Sequence, residues 1–277
     1  MKTILVINDG LPGAESAAKM ALIIAQKANA DVLIANVFKE KVIAQTREYV
    51  LTGDGIEISK VKPKQSLADK LASFNTSAGF KPFIGSVDMA GYFVSDMAQF
   101  IIKNNIWMIV KGTGEVQGSK PDEPLINIQF LLNRVACPVL LVPQKFSAVN
   151  LERMVYMADL RYCQIPVIRY LVHLARPFES KLQVAHVSAQ GLPDIQEDYA
   201  RSFFSEAISS QVNYDQLYFN NIKEKNLKKV ADVMVNILHT DLIVLVNHQF
   251  HFNELVGSCI TQTLPEYFTV PVLVFPC

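Results

Sequence analysis

The chain has 277 residues, half of them hydrophobic and 19% charged, which is enough apolar material for two domains that each bury a core. Twenty-six basic residues balance 26 acidic ones, so no overall charge draws the protein to nucleic acid or to an anionic membrane. No apolar stretch approaches the length of about 18 residues that is typical of a membrane-spanning helix.

The first half of the chain alternates short apolar runs with segments of helical periodicity. The apolar runs predict five strands, at residues 4–7, 31–37, 82–87, 106–110 and 138–142. Apolar residues three or four positions apart predict four helices, at residues 14–27, 66–74, 92–103 and 125–135. The segment 38–64 is polar and irregular, contains the turn signal Thr-Gly-Asp-Gly, and is predicted to be a loop.

The second half repeats this order with shorter loops. Its predicted strands lie at residues 154–157, 182–187, 217–219, 242–246 and 272–275, and its helices near 163–175, 194–210, 224–238 and 256–268. The closing strands are nearly identical, because Pro-Val-Leu-Leu-Val-Pro at 138–143 recurs as Pro-Val-Leu-Val-Phe-Pro at 271–276. A repeat of this length indicates two complete domains, which we place at 1–148 and 149–277.

Strands that alternate with helices predict an α/β fold with parallel sheets covered on both faces. We expect two doubly wound, five-stranded sheets with the strand order 3-2-1-4-5. Ligands of such sheets bind outside the carboxyl ends of the strands, where the winding direction reverses. That position selects Asp9 and the loop 112–124 in the first half, and Asp159 and the loop 247–257 in the second.

The fifth strand of each predicted sheet is an apolar edge. Because an unpaired apolar edge invites association, we expect the two closing strands to pair with each other and form an intramolecular pseudo-dimer. Further association of two chains into a homodimer is compatible with the sequence. The charge balance predicts that neither nucleic acid nor a membrane is a partner.

Three runs of the first half occur in a characteristic order: Ile-Leu-Val-Ile-Asn-Asp-Gly at 4–10, Ile-Val-Lys-Gly-Thr-Gly at 109–114 and Cys-Pro-Val-Leu-Leu-Val-Pro at 137–143. Together they resemble the universal stress protein family. The second half resembles the same family at 155–159, 241–245, 257–258 and 271–275. The resemblance implies a tandem, two-domain member with an adenine-nucleotide-alpha-hydrolase-like fold.

Some members of that family bind ATP, with an aspartate after strand 1 near the adenosine and a Gly-x2-Gly-x9-Gly-Ser/Thr loop around the phosphates. Glycines let backbone N–H groups approach the phosphates, and a helix that begins at the last Gly-Ser favours anions. Carried onto this chain, the resemblance implies six candidate cofactor-binding residues: Asp9, Gly112, Gly114, Asp159, Gly257 and Ser258.

Both halves depart from the family's phosphate-binding pattern. In the first half, Leu and Ile at 125–126 replace the Gly-Ser pair, Gly114 is out of register, and carboxylates within 122–124 place negative charge at the predicted helix start. In the second half, Val246 and Gln249 replace the earlier glycines. We therefore expect no bound cofactor, with ATP or another adenine nucleotide as the alternative.

Several candidate residues have a structural alternative. Asp9 and Asp159 are each placed to cap the helix that follows. His248 and His251 are three residues apart in a loop, but without a third ligand nearby we predict no metal site there. Trp107 is the only tryptophan, and it is suited either to packing at the rim of the core or to stacking on a ligand.

The sequence contains no recognisable catalytic motif, such as a nucleophile elbow or HExxH. No catalytic residue is predicted, although a triad assembled in space stays an alternative. The four cysteines have no CxxC spacing, which indicates reduced, buried thiols. Met1 is followed by a strand-like run rather than a secretory leader, so we expect a cytoplasmic protein.

The leading functional hypothesis is a cytoplasmic stress-response protein that acts as a binding or interaction module and has degenerate nucleotide sites. One alternative is an ATP-binding universal stress protein with slow hydrolysis. The other is a small-ligand sensor that reuses the same clefts.

Overall fold

The structure is a computed structural model of the chain. It describes residues 1–38, 49–52, 55–58, 66–74, 79–114, 127–147, 150–257, 260 and 263–277. Most of the predicted loop 112–124, the first two residues of the predicted helix 125–135, and Ser258 and Cys259 lie outside the described residues.

Twelve strands form in the described part of the chain. In chain order they are β1 (Lys2–Asn8), β2 (Ala30–Asn36), β3 (Tyr49–Thr52), β4 (Gly55–Ile58), β5 (Ile84–Asp88), β6 (Ile106–Thr113), β7 (Val139–Pro143), β8 (Arg153–Ala158), β9 (Lys181–Val187), β10 (Leu217–Ile222), β11 (Leu242–Val246) and β12 (Val272–Phe275). The strands β3 and β4 pair as a separate antiparallel hairpin, within the segment that was predicted to be a loop.

The other ten strands form one sheet, in the order β10-β9-β8-β11-β12-β7-β6-β1-β2-β5. The prediction of two separate five-stranded sheets is therefore corrected to a single ten-stranded sheet, whose overall strand order differs from 3-2-1-4-5. The first half supplies one block of five strands and the second half supplies the other. Within each block, the strands that a half contributes lie in the order third, second, first, fourth, fifth.

The two blocks meet at an antiparallel pair. Val274 lies opposite Val139, and Leu273 lies opposite Leu140, and all four side chains are buried. Every other pair in this sheet is parallel. Because each closing strand covers the apolar edge of the other, neither is left open to unspecific pairing.

Eight α-helices cover the sheet in the described residues. They are α1 (Gly13–Ala28), α2 (Leu67–Phe74), α3 (Val94–Lys103), α4 (Ile128–Leu132), α5 (Ile165–Ala175), α6 (Glu197–Phe203), α7 (Leu227–Asp232) and α8 (Phe250–Leu255). The helices α1, α2, α5 and α6 contribute to one apolar cluster, and α3, α4, α7 and α8 contribute to a second. The α/β class with helices on both faces is thus confirmed. None of these helices has the length and apolar composition needed to cross a membrane.

Three helices differ from the prediction. The turns after α6 and α7 continue as π-helix at 204–208 and 233–237. The predicted helix at 256–268 is wrong, because α8 ends at Leu255 and the described residues from 263 to β12 are not helical. The apolar spacing of that segment instead reflects packing of its loop, in which Phe268 is buried in the second cluster.

The β7–β12 pair predicts how half of the chain behaves alone. A fragment of residues 1–148 loses β12, so the unpaired edge of β7 should make it dimerise or aggregate. Sedimentation at about 100 micromolar, where an interface of about −6 kcal/mol is populated, measures this. A peptide of residues 270–277 should suppress the association, whereas a peptide of the same composition in scrambled order should not. A fragment that stays monomeric would contradict the role given to β7.

Candidate functional site

The cleft of the first half lies where β1 and β6 end side by side. Asp9 directly follows β1, and Lys111 belongs to β6, where its backbone is in register with Ile7. The Lys111 ammonium lies 2.6 Å from Asp9 Oδ2, and the two side chains are only 5% and 3% exposed. The candidate aspartate is therefore neutralised by a cation from within the chain.

Further hydrogen bonds fix this ion pair. Lys111 Nζ also donates to the Gly112 carbonyl at 3.1 Å, and Asp9 Oδ1 accepts the Leu11 N–H at 3.2 Å. Asp9 does not cap α1, whose first turn has no side-chain cap. Lys111 was not singled out as a site residue from the sequence. A charged residue in an otherwise apolar strand was the signal that could have found it.

The two candidate glycines of the first half lie close to other protein atoms. A Cβ atom on Gly112 would overlap the carbonyl of Gly13 at the start of α1, so the strand and the helix touch there backbone to backbone. A Cβ atom on Gly114 would lie 2.5 Å from Oε1 of Gln144. Gly112 therefore requires glycine because backbone atoms approach closely, and this requirement exists without a phosphate. At Gly114 the nearby atom belongs to the flexible end of a side chain.

The aspartate of the second half is neutralised in another way. Asp159 Oδ2 accepts a hydrogen bond from Arg161 Nη2 at 2.6 Å, and Oδ1 accepts one from Nε at 2.8 Å. Its oxygens also accept the N–H groups of Ala189 and Arg161, and the second of these caps a short turn that follows β8. Burial acts to raise the pKa of Asp159, but these hydrogen bonds outweigh it and lower the pKa below its ordinary value.

Two buried histidines stand near Asp159. His186 Nδ1 accepts the Leu160 N–H at 3.0 Å, and its Nε2 has no hydrogen-bond partner among the described residues. His251 Nε2 lies 2.8 Å from the Val187 carbonyl. Burial lowers the pKa of His186, against an opposing effect of Asp159. Burial likewise lowers the pKa of His251, so both rings are neutral near pH 7.

Gly257 does not begin a helix. It follows α8 with a φ of +103°, and its N–H donates back to the Phe252 carbonyl at 3.3 Å. This is the arrangement of a residue that ends a helix, and the Gly257 N–H is already used within the chain. Its predicted partner Ser258 lies outside the described residues, as does the loop 115–126 of the first half.

The loop after β11 contacts the first half of the chain. Asn247 Oδ1 accepts from Gln129 Nε2 at 2.8 Å, and Asn247 Nδ2 donates to Asn133 Oδ1 at 3.0 Å. His248 Nε2 lies 3.1 Å from the same Asn133 oxygen. His248 therefore faces Asn133 whereas His251 faces Val187. Within the described ranges, no three His, Cys, Asp or Glu side chains are grouped closely enough to hold a metal ion.

A cavity of about 470 Å³ with both polar and apolar walls lies beside the first cleft. It lies at the carboxyl ends of β1, β2 and β5, which contribute Asn8, Asn36 and Asp88 respectively. Asn8 Nδ2 donates to Asn36 Oδ1 at 2.7 Å, and Asp88 Oδ1 accepts the Ala90 N–H. The predicted strand order pointed to this edge of the sheet, at the carboxyl ends of the strands. The residues that line this cavity were not among the predicted site residues.

Trp107 lies at the opposite end of β6. Its ring stacks on Tyr170 with centroids 5.2 Å apart and planes 21° apart, and Lys2 Nζ lies 4.3 Å from its centroid. Tyr170 also donates to the Trp107 carbonyl at 3.0 Å. The packing alternative therefore accounts for the contacts of Trp107 and links the two halves of the chain.

Solved structures of similar architecture come from an archaeon and a bacterium. A universal stress protein from Archaeoglobus fulgidus aligns over 99% of this chain and 97% of its own, with 13% identity and a TM-score of 0.52. This chain has the fold of universal stress proteins. Neither a protein-family model nor a curated protein matches the sequence.

Two proteins from Pseudomonas aeruginosa have similar values. A functionally unknown protein of strain PAO1 aligns over 99% of this chain and 92% of its own, with 16% identity and a TM-score of 0.53. A protein of strain UCBPP-PA14, assigned provisionally as a universal stress protein, aligns over 99% and 93% with the same identity and TM-score. At these identities the likeness establishes the fold alone.

The Asp9–Lys111 pair predicts a large effect on stability. Asp9→Asn leaves the Lys111 charge buried without a counter-ion, and the free energy of unfolding should fall by about 3–5 kcal/mol. Adding Lys111→Met should recover much of this loss, because no unpaired charge is left. Denaturant titration measures both variants. The control is Glu15→Gln, which removes the exposed pair with Lys19 at 2.9 Å and should cost less than about 1 kcal/mol. Equal losses of stability in Asp9→Asn and Glu15→Gln would contradict a stabilising role for the buried pair.

The buried histidines predict a loss of stability in mild acid. Below the unfolded-state histidine pKa of about 6.5, these two rings are protonated in the unfolded chain but stay neutral in the folded chain. The free energy of unfolding should therefore fall as the pH drops from about 6.5 through the lowered folded-state pKa, by at most about 1.4 kcal/mol per pH unit for each histidine.

Denaturant titrations from pH 8 to pH 5 measure this dependence. His186→Asn keeps an acceptor for the Leu160 N–H and should have a flatter profile than the unmodified protein. The control His239→Asn changes an exposed histidine whose φ of +51° suits asparagine, and it should keep the original profile. Identical profiles for all three proteins would show that His186 is not the sensitive group.

Proposed function

We propose that this protein is a cytoplasmic, stress-related binding protein of the universal stress type whose own side chains occupy its two nucleotide positions. The observation that carries the proposal is the buried ion pair between Lys111 and Asp9. Asp9 follows the first strand, where the family resemblance places the aspartate that contacts adenosine. In this chain the carboxylate is already bound by Lys111.

The energetic argument for the first half rests on desolvation. A ligand that binds Asp9 has to displace Lys111 and leave its ammonium buried without a partner. Breaking a buried pair in this way costs about 3–5 kcal/mol. An affinity weakened by that amount is lower by a factor of about 10² to 4 × 10³, so ordinary nucleotide binding would be lost. Gly112 also packs directly on the backbone of Gly13.

The second half supports the same proposal through different contacts. Asp159 is held by two hydrogen bonds from the Arg161 side chain and two backbone N–H groups. Gly257 ends α8 instead of beginning a helix, so the helix start of that loop lies at Phe250 and not at the Gly257–Ser258 pair that the family pattern uses. A nucleotide there would compete with several hydrogen bonds at once.

The proposed domain organisation follows the β7–β12 pair. We assign residues 1–148 and 149–277 to two universal-stress-type domains that associate as a pseudo-dimer within one chain. The antiparallel pairing of the closing strands supports this assignment. Free thiols at Cys137, Cys163 and Cys277 support a reducing, cytoplasmic location, and the balance of 26 basic and 26 acidic residues supports partners other than nucleic acid or membranes.

A second candidate function is a sensor of a small polar ligand. The cavity of about 470 Å³ beside Asn8 and Asn36 favours it, because amide and carboxylate groups converge there without being consumed by an ion pair among the described residues. Such a ligand would leave the Asp9–Lys111 pair intact. The two candidates therefore differ in whether the chain retains a small molecule.

Titration calorimetry with Mg-ATP and with adenosine tests the leading proposal. The unmodified protein should bind neither more tightly than about 1 mM, which corresponds to about −4 kcal/mol. Lys111→Ala frees the Asp9 carboxylate and opens space, so adenosine binding should become measurable, whereas the exposed control Lys19→Ala should change nothing. A dissociation constant for ATP in the low micromolar range, about −8 kcal/mol, would overturn the proposal.

Mass spectrometry under non-denaturing conditions separates the two candidates in the same preparation. A retained polar molecule that is lost in Asn36→Leu would favour the sensor. A chain that has its bare mass, together with the absence of ATP binding, would favour the interaction module.

A further inference from the structure

A second cavity lies at the junction of the two halves. Its volume is about 570 Å³, within the range of small-molecule sites. It is bordered by the amino end of β1, the amino ends of β6 and β7, the beginning of α5 and the end of β12. None of the sequence motifs assigned to the nucleotide clefts contributes to it.

The antiparallel pair at the junction creates this cavity. Because β7 and β12 run in opposite directions, the amino ends of the first-half strands meet the carboxyl end of the second half. Pro138 and Phe275 therefore line the same space. Two blocks joined by a parallel pair would have placed like ends together, and this mixed border would not exist.

The interior of the cavity is apolar. Ile106, Cys137, Val167 and Phe275 line it and are each no more than 9% exposed. Burial raises the pKa of Cys137 to about 12, so its thiol is neutral and adds apolar surface rather than charge. A ligand that fits these walls has to offer an apolar body.

Lys2 is the charged side chain that stands at the mouth of the cavity, and the Met1 α-amino group borders the same space. Lys2 lines it and holds its ammonium over the Trp107 ring, yet no carboxylate among the described residues forms an ion pair with it. Partial burial lowers the pKa of Lys2, but the group remains cationic near neutrality. The beginning of α5, at Gln164 and Pro166, borders the same space and adds positive potential.

We propose that the junction cavity binds a small amphiphilic carboxylate, whose apolar chain contacts the interior and whose carboxylate pairs with Lys2. The apolar walls and the unpaired cation at their edge are complementary to these two parts of the ligand. The site is independent of the nucleotide clefts. Lys2 and Asp9 lie at opposite ends of β1, which spans about 20 Å for seven residues.

Fluorescence titration tests this proposal, because Trp107 is the only tryptophan and lies in the cavity wall. The probes are octanoate, octanamide and octylamine, which share an apolar chain and differ in the charge of the head group. Octanoate should change the Trp107 emission with saturation and bind about fivefold more tightly than octanamide, the ratio expected for one partly exposed ion pair. Octylamine should bind more weakly than either.

Three variants separate the charge from the cavity. Lys2→Met should abolish the preference for octanoate over octanamide, whereas the control Lys27→Met, which removes a lysine near Phe178, should keep it. Ala136→Phe places a ring at the cavity wall and should weaken all three probes. Equal affinities for octanoate and octanamide in the unmodified protein, or a Trp107 response that does not saturate, would overturn the proposal. Neither result bears on ATP binding.

Discussion

The antiparallel pairing of β7 with β12 is the interaction on which the rest of the architecture depends. Each strand is the apolar edge of its own block, and the pair turns two edges into the centre of one sheet. The same pairing aligns the halves so that Gln129 and Asn133 reach Asn247. It also places Trp107 beside Tyr170. Contacts far from the sheet centre are therefore consequences of how two strand edges are buried.

The two halves reach the same electrostatic result by different routes. In the first, the cation is Lys111, 102 positions away in sequence from Asp9. In the second, it is Arg161, only two positions from Asp159. A lysine on a neighbouring strand offers a single point charge, whereas the arginine fork satisfies both carboxylate oxygens. Because each aspartate is buried, each requires a partner of opposite charge. In each half, the partner is the cationic side chain that the local backbone brings within reach.

The described part of the fold keeps two open spaces outside the Asp9 and Asp159 contacts. The first half has a cavity of mixed lining beside Asn8, and the junction has a more apolar one beside Lys2. These spaces differ in polarity because one lies where strand ends expose amide and carboxylate groups, and the other lies where two apolar blocks meet.

The sequence by itself determined the α/β class, the order of the large-sheet strands along the chain, and the sheet edge at which Asp9 and Asp159 stand. These features follow from local periodicity and from apolar runs such as 242–246, where the predicted strand matches β11. Only the tertiary structure decided that Lys111 meets Asp9, that Gly112 packs on Gly13 and that Gly257 ends a helix. Those outcomes depend on contacts between distant residues and on backbone geometry, and local residue spacing does not encode either.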